Sequence, residues 1–212
     1  MNKIISVSRA IDFIKDGDTI MIGGFLTNGT PERLVDALVA SGKKNLTLIS
    51  SDTGFVDKGV GKLVVNKQCK KIYASHIGTN KETGRQMTEN ETEVVLVPQG
   101  SLVEKIRAAG YGLGGVLTPT GLGTLVAEGK EKLTIDGKEY LLELPLHADV
   151  ALIYADQADK EGNLLYKGSA ANFNSVMAAA AKTTIVETNN LVDSIDPNYV
   201  HTPSVFVNHI VS

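Results

Sequence analysis

A single cysteine, Cys69, stands in the 212 residues, so no disulfide can close within the chain and no thiol cluster of zinc-ligand spacing exists. A lone thiol fits a reducing compartment, and the chain is expected in the cytoplasm. The sequence also lacks a basic block. Its 21 Lys and Arg are set against 24 Asp and Glu, for a net charge of −3, which excludes a surface built to neutralise a run of nucleic-acid phosphates. Long apolar runs are missing too: stretches such as Val150 to Ala155 fall far short of the ~20 residues that span a bilayer as a helix. Met1-Asn2-Lys3-Ile4-Ile5 turns polar at Ser6 and Ser8 before any continuous signal core, so neither export nor a membrane is expected. His76, His147, His201 and His209 are scattered without ligand spacing, and no metal is predicted. No repeat, low-complexity tract or proline-rich linker divides the chain, which reads as one domain over 1–212.

What is present is an alternation of short β-branched runs and amphipathic stretches, the pattern of an α/β fold. Strands are predicted at Thr19 to Ile22, Leu46 to Ser50, Ile72 to His76, Val94 to Val97, Val150 to Tyr154 and Thr183 to Glu187. Helices are predicted at Arg9 to Ile14, Glu32 to Ala40, Leu102 to Ala109 and Ser175 to Ala181. The expected fold is an open, largely parallel sheet with helices on both faces. Thr30-Pro31-Glu32 marks one helix start as a cap followed by proline, and Ser101 with Glu104 has capping-box spacing. Asp136-Gly137, between Lys132-Leu133-Thr134-Ile135 and Lys138-Glu139-Tyr140-Leu141, predicts an antiparallel hairpin. Seven glycines between Gly110 and Gly129 rule out an ordinary helix there and indicate a shaped loop region.

The most informative segment runs strand, glycine loop, helix: Asp16-Gly17-Asp18-Thr19-Ile20-Met21-Ile22-Gly23-Gly24-Phe25-Leu26-Thr27-Asn28-Gly29-Thr30-Pro31. Glycines after a buried strand let the backbone turn sharply and approach a ligand with no Cβ in the way, at the strand end where ligands of open α/β sheets gather. Backbone N–H groups at the start of the next helix could hold an anion or a carbonyl oxygen gaining charge. The spacing is neither a dinucleotide fingerprint nor a Walker A loop, and Glu32 in the first helical turn disfavours a pyrophosphate there.

An acidic residue and glycine, an apolar run, Gly-Gly-Phe and then Gly-x-Pro resemble the alpha-subunit signature of family I (3-oxoacid type) coenzyme A transferases. The resemblance continues through Ala74-Ser75-His76-Ile77-Gly78-Thr79-Asn80, Val97-Pro98-Gln99-Gly100, Leu117-Thr118-Pro119-Thr120-Gly121, Glu128-Gly129-Lys130, Ala148-Asp149, Gly162-Asn163-Leu164 and Asp196-Pro197. It is strongest with bacterial enzymes that move coenzyme A between acetoacetate and acetate or butyrate. Carried over, the coenzyme-binding positions are Gly23, Gly24, Phe25, Leu26, Thr27, Asn28 and Gly29. Coenzyme A is then a substrate, with no separate cofactor.

In this family, the resemblance implies, a glutamate attacks the acyl-CoA thioester and the coenzyme thiolate captures the mixed anhydride as an enzyme-bound thioester. That glutamate belongs to a Ser-Glu-Asn-Gly motif on a beta subunit, and this chain has no such motif. The implied assembly is a heterotetramer of alpha and beta chains acting on an acyl-CoA and a short-chain carboxylic acid. Within the chain, Thr88-Glu89-Asn90-Glu91 ends in glutamate rather than glycine and reads as a solvated loop. Glu143 interrupts Tyr140-Leu141-Leu142-Glu143-Leu144, and strand alternation puts it on a wet face. His76 at a strand end, and the loop carrying Thr120 and Gly121, remain candidates for the acyl site or a subunit interface. Two other readings of the same fold stay open, a sugar-phosphate isomerase-like enzyme and a non-catalytic ligand-binding module.

Overall fold

The computed structural model describes residues 3–212; Met1 and Asn2, the start of the segment read as carrying no signal core, lie outside the described residues. Apolar runs buried on both faces demand a parallel sheet covered by helices on each side, and among the described residues seven strands form it. They are β1 (Thr19–Ile22), β2 (Leu46–Ile49), β3 (Cys69–Ala74), β4 (Glu93–Leu96), β8 (Ala148–Tyr154), β11 (Ala181–Glu187) and β13 (His209–Val211), in the order β13-β11-β8-β1-β2-β3-β4 with every pairing parallel. Register is even at the centre: Ile20 stands opposite Leu48 on one side and Val150 on the other.

Alternation along these strands divides the core in two. Ile20, Ile22, Leu48, Ile72, Leu152 and Ile185 meet α1 (Val7–Ile11), α2 (Glu32–Ala40) and α3 (Gly61–Val65) on one face. On the other, Met21, Ile49, Ala151, Ile153 and Val186 meet α5 (Gln99–Gly110) and α6 (Asn174–Met177). Each fully buried Ile or Leu contributes about 1.5–3 kcal/mol through removal of its surface from water. Polar α4 (Lys81–Thr88) has no apolar stripe. It is started by the Asn80 side chain, which accepts from the Glu82 amide, and it leans on α3 where Gln86 Nε2 donates to the Val64 carbonyl at 2.8 Å. Its end carries the segment read as a solvated loop, where Arg85 joins the carboxylates of Glu82, Glu89 and Glu91.

Among the described residues two smaller three-stranded sheets complete the fold, one antiparallel and one mixed. β6 (Lys132–Ile135) and β7 (Lys138–Glu143) form the predicted hairpin, turning at Asp136 (φ 51°) and Gly137 (φ 74°), and β5 (Val116–Thr118), from the glycine-rich region, adds a third strand on β7. β9 (Gln157–Asp159) pairs with β10 (Leu164–Leu165) antiparallel and with β12 (Leu191–Val192) in parallel.

Several local expectations are corrected. Thr30 does not cap α2: the Arg33 and Leu34 amides donate to the carboxylate of Glu187, from the end of β11, at 3.3 and 2.9 Å. Ser101 is no cap either, because α5 already begins at Gln99. The helix predicted to reach Ala181 stops at Met177, and Ala181 opens β11. Glu143 is not on a wet face but 1% exposed, because Lys105 of α5 reaches its carboxylate at 2.8 Å and Lys130 approaches at 2.5 Å. Burial pushes the Glu143 carboxyl up, but its bonds to the two lysines outweigh this and hold it below the usual range.

A carboxyl depressed in the folded state contributes stability that is present above its unfolded value and is lost as pH falls through the folded one. Glu143→Gln is therefore expected to cost roughly 3 kcal/mol at neutral pH, by leaving two lysines without their counter-ion. Its melting temperature should also fall less than the wild type's on acidification; parallel acid slopes in the two proteins would refute the assignment.

Candidate active site

Chain order runs from β1 outward through β2, β3 and β4, then returns to β8 on the other side of β1 and continues away through β11 and β13. The strand order thus reverses between β1 and β8, and ligands of open α/β sheets bind at the carboxyl ends of such strands. The glycine loop emerges there. The Gly23 amide extends the ladder to the Leu152 carbonyl at 3.0 Å, and Phe25 and Asn28 then exchange backbone hydrogen bonds at 3.0 and 2.9 Å. Leu26 (φ 46°) and Thr27 (φ 71°) occupy the tip in left-handed backbone. Two non-glycine residues in that region cost free energy that surrounding contacts must offset.

Those contacts come from both sides. Asp52, 3% exposed at the end of β2, accepts the Leu26 amide at 3.0 Å with one carboxylate oxygen and the Gly54 amide at 2.7 Å with the other. Opposite, Asn172 Oδ1 accepts from the Gly24 amide at 3.2 Å and its Nδ2 donates to the Asn28 carbonyl at 3.1 Å. Fully buried Asn174 donates to the Gly29 carbonyl at 2.9 Å and accepts the Tyr154 amide at 3.0 Å, bridging the crevice between β1 and β8. Asn28 Nδ2 also reaches Ser169 Oγ. A Cβ on Gly23 would collide with Asn174 Oδ1, and Gly24 sits at φ 119° facing the Thr30 hydroxyl. Both positions require glycine.

The reading of the chain as free of repeats misses a local one. Gly54-Phe55-Val56-Asp57-Lys58-Gly59 follows β2 as Gly24-Phe25-Leu26-Thr27-Asn28-Gly29 follows β1, and Phe55 and Lys58 bridge as Phe25 and Asn28 do. The two turns abut where Gly59 meets the Thr27 methyl. Both present apolar tips, with Phe25 43% and Phe55 36% exposed.

The helix start following the loop is closed to an anion, because the Glu187 carboxylate occupies the α2 amides. Glu32 points elsewhere, accepting from the Gly59 amide at 2.9 Å and Lys62 Nζ at 2.6 Å. Within the loop, the amides of Gly23, Gly24, Phe25, Leu26, Asn28 and Thr30 all have partners; Thr27 and Gly29 donate to nothing among the described residues.

His76 lies on the same edge. It is bridged in parallel to Asp52, with its ring exposed and lying against Gly78. Gln99, at the start of α5, donates to Ser51 Oγ at 3.2 Å and accepts from Ser75 Oγ, which seats that helix against the ends of β2 and β3. Thr120 and Gly121 are not brought to the glycine loop. They belong to the antiparallel lobe, where Thr120 lines a separate cleft with Ser101 and Leu117. Cys69 is buried, which pushes its thiol up to about 12 and leaves it protonated and unreactive near neutral pH. His201 accepts the Tyr166 amide at 3.0 Å and His209 stacks on Phe13; among the described residues no group of three or more His, Cys, Asp or Glu could hold a metal. No helix among them is long and apolar enough to cross a membrane.

The sequence does not reveal Asp52 or the two asparagines, because isolated Asp and Asn residues carry no periodic signal. Asp52→Ala is expected to speed hydrogen exchange at the Leu26 and Gly54 amides about 10-fold or more, the loss of a charge-assisted bond at each. Exchange unchanged at both amides in a folded variant would remove Asp52 from its role.

Residues 4–212 match the family described as coenzyme A transferase. The acetate CoA-transferase subunit alpha of Escherichia coli K12 is 54% identical over 211 residues, covering 99% of this chain and 96% of that protein. The acetoacetyl-CoA:acetate/butyrate CoA transferase alpha subunit of Clostridium acetobutylicum is 56% identical over 212 residues, covering 99% and 97%. Among solved structures, an acyl-CoA transferase of E. coli O157:H7 superposes with a TM-score of 0.87 at 23% identity, over 99% of this chain and 46% of that one, which supports the fold. With that match over nearly its whole length and with relatives above half identity, the chain belongs to the coenzyme A transferase family.

Proposed function

We propose that this chain is the alpha subunit of a heteromeric coenzyme A transferase that moves coenzyme A between a short-chain acyl-CoA and a carboxylic acid. The observation that carries the proposal is the pairing of a rigidly held glycine loop at the strand-order reversal with the absence of a Ser-Glu-Asn-Gly motif. Acetyl-CoA, butyryl-CoA and acetoacetyl-CoA are the proposed acyl donors, in keeping with the names of the bacterial relatives. The loop Gly23, Gly24, Phe25, Leu26, Thr27, Asn28 and Gly29 receives the coenzyme near its thioester. Its two uncommitted amides, Thr27 and Gly29, are the groups free to donate to the ligand.

A glutamate on the beta subunit attacks the thioester carbonyl, forming a mixed anhydride and expelling the coenzyme as thiolate. The thiolate then attacks the glutamyl carbonyl of that anhydride, releasing the first acid as carboxylate and leaving a glutamyl-CoA thioester. A second carboxylate reverses both steps. This chain's part is to hold the coenzyme against a preorganised backbone, so that little ordering remains at the moment of reaction. The assembly is a cytoplasmic heterotetramer with its active site between alpha and beta chains. A sugar-phosphate isomerase reading loses its footing, since the helix start that would cradle a phosphate is filled by Glu187.

The test is reconstitution: this chain alone is expected to be inactive, and a beta chain carrying Ser-Glu-Asn-Gly is expected to restore transfer. Full activity from the purified chain alone would overturn the proposal. In the restored complex, Gly24→Val is expected to lower turnover by about 100-fold or more, because a branched side chain at φ 119° must displace both Thr30 and the loop. A folded variant with wild-type kinetics would take the loop out of the site.

A further inference from the structure

The resemblance gives coenzyme contacts to the first Gly-Phe turn only; the second, Gly54 to Gly59, has no assigned part. It is held as firmly as the first. Asp52 takes the Gly54 amide at 2.7 Å, Thr79 Oγ1 donates to the Gly54 carbonyl at 2.7 Å, and the Glu32 carboxylate takes the Gly59 amide at 2.9 Å. Behind the turn, Asn80 Nδ2 donates to the Thr53 carbonyl at 3.0 Å, and the Phe55 carbonyl lies against Gly61, where a Cβ would come within 1.8 Å of it. This bracing leaves two large apolar side chains in water, Phe55 at 36% and Val56 at 38% exposure. Because Asp52 holds the amides of both Leu26 and Gly54, these side chains stand beside Phe25 and Leu26 at the rim of the glycine loop.

Neither Phe55 nor Val56 belongs to the buried core on either face of the sheet, so the fold does not need them. Neighbouring apolar side chains left in water mark a place where another molecule packs. Coenzyme A is a poor match for this turn, since its phosphates call for a positive site and the exposed Asp57 and Lys58 cancel in charge. A rigid aromatic and an aliphatic with charged neighbours at their rim have the composition of a protein–protein anchor. What covers them follows from the missing nucleophile. A glutamate that attacks a thioester held by Gly23 to Gly29 must come within covalent reach of that loop, and no Ser-Glu-Asn-Gly motif of this chain supplies it. On one flank the loop is already covered by Ser169, Asn172 and Asn174. The chain that brings the glutamate is left the other flank, whose rim is Phe55 and Val56.

We propose that Phe55 and Val56 are the anchor on which the nucleophile-bearing beta chain docks beside the glycine loop. Of the twin turns, the first receives the coenzyme and the second receives the partner. The proposal rests on the transferase reading and adds to it the residues that set the partner's position. A braced turn loses little freedom on binding, which favours a single docking geometry. That matters for the reaction, because a nucleophile misplaced by roughly 1 Å loses much of its rate.

The test is association of the full chain with a beta chain carrying Ser-Glu-Asn-Gly, measured by calorimetry, together with hydroxyl-radical footprinting of Phe55. Phe55→Ala is expected to weaken association about 30-fold or more, the loss typical of a central aromatic anchor. The melting temperature of the isolated variant should match the wild type's, since the side chain lies outside the core. Oxidation of Phe55 is expected to fall when the beta chain is added and to stay unchanged when coenzyme A is added to this chain alone. At saturating beta chain, KM for the acyl-CoA should remain within about 2-fold of the wild type. Wild-type association by a folded Phe55→Ala variant, or protection of Phe55 by coenzyme A alone, would overturn the proposal even where the complex transfers coenzyme A. Association that depends on Phe55 in a complex that transfers nothing would uphold the docking surface and count against the transferase reading. A wild-type chain that binds no beta chain would contradict both.

Discussion

A carboxylate that is nearly sealed from water must find donors for both of its oxygens, and Asp52 finds them in the amides of Leu26 and Gly54. Those amides belong to the turns that follow neighbouring strands, so one side chain fixes two loops to each other and to the end of β2. Without it, Leu26 and Thr27 would have less reason to stay in left-handed backbone. Asn172 and Asn174 close the clamp from the far side. The apparent looseness of seven residues containing three glycines is therefore misleading: the glycines give the backbone room to adopt its path, and carboxylate and amide side chains hold it there.

The same device recurs through the molecule. Glu187 leaves β11 to cap α2, and Asp159 gathers the amides of Gly162, Asn163 and Ile195 beside the small sheet. Glu143 joins α5 to the antiparallel lobe through two lysines. Buried acids stitch the ends of elements together where no regular ladder reaches. One consequence bears on function. With the α2 amides occupied, an anion cannot settle at the helix after the glycine loop.

Much of the fold was legible because buried parallel strands write themselves as dense β-branched runs. Thr19 to Ile22 and Glu32 to Ala40 were read to the residue, and Asp136-Gly137 announced its hairpin. Three-residue β13 is too short to carry periodicity, and α4, with Lys81-Glu82-Thr83-Gly84-Arg85, has no apolar stripe to reveal it. Glu143 was misread because alternation along a strand says which face a residue takes, not what covers that face. The glycine loop was visible from its spacing. Its clamps were not, since Asp52 and Asn174 lie 26 and 145 residues from the backbone groups they hold. The twin Gly-Phe turn could have been found by comparing Gly24 to Gly29 with Gly54 to Gly59 directly.

In the proposed division of labour, this chain holds the coenzyme and its partner bears the nucleophile. Intact-mass analysis of the two separated chains, after the complex has been incubated with acyl-CoA and no acceptor acid, tests that division directly. A covalent coenzyme A adduct is expected on the beta chain, with the alpha chain unmodified. An adduct on this chain would contradict that division.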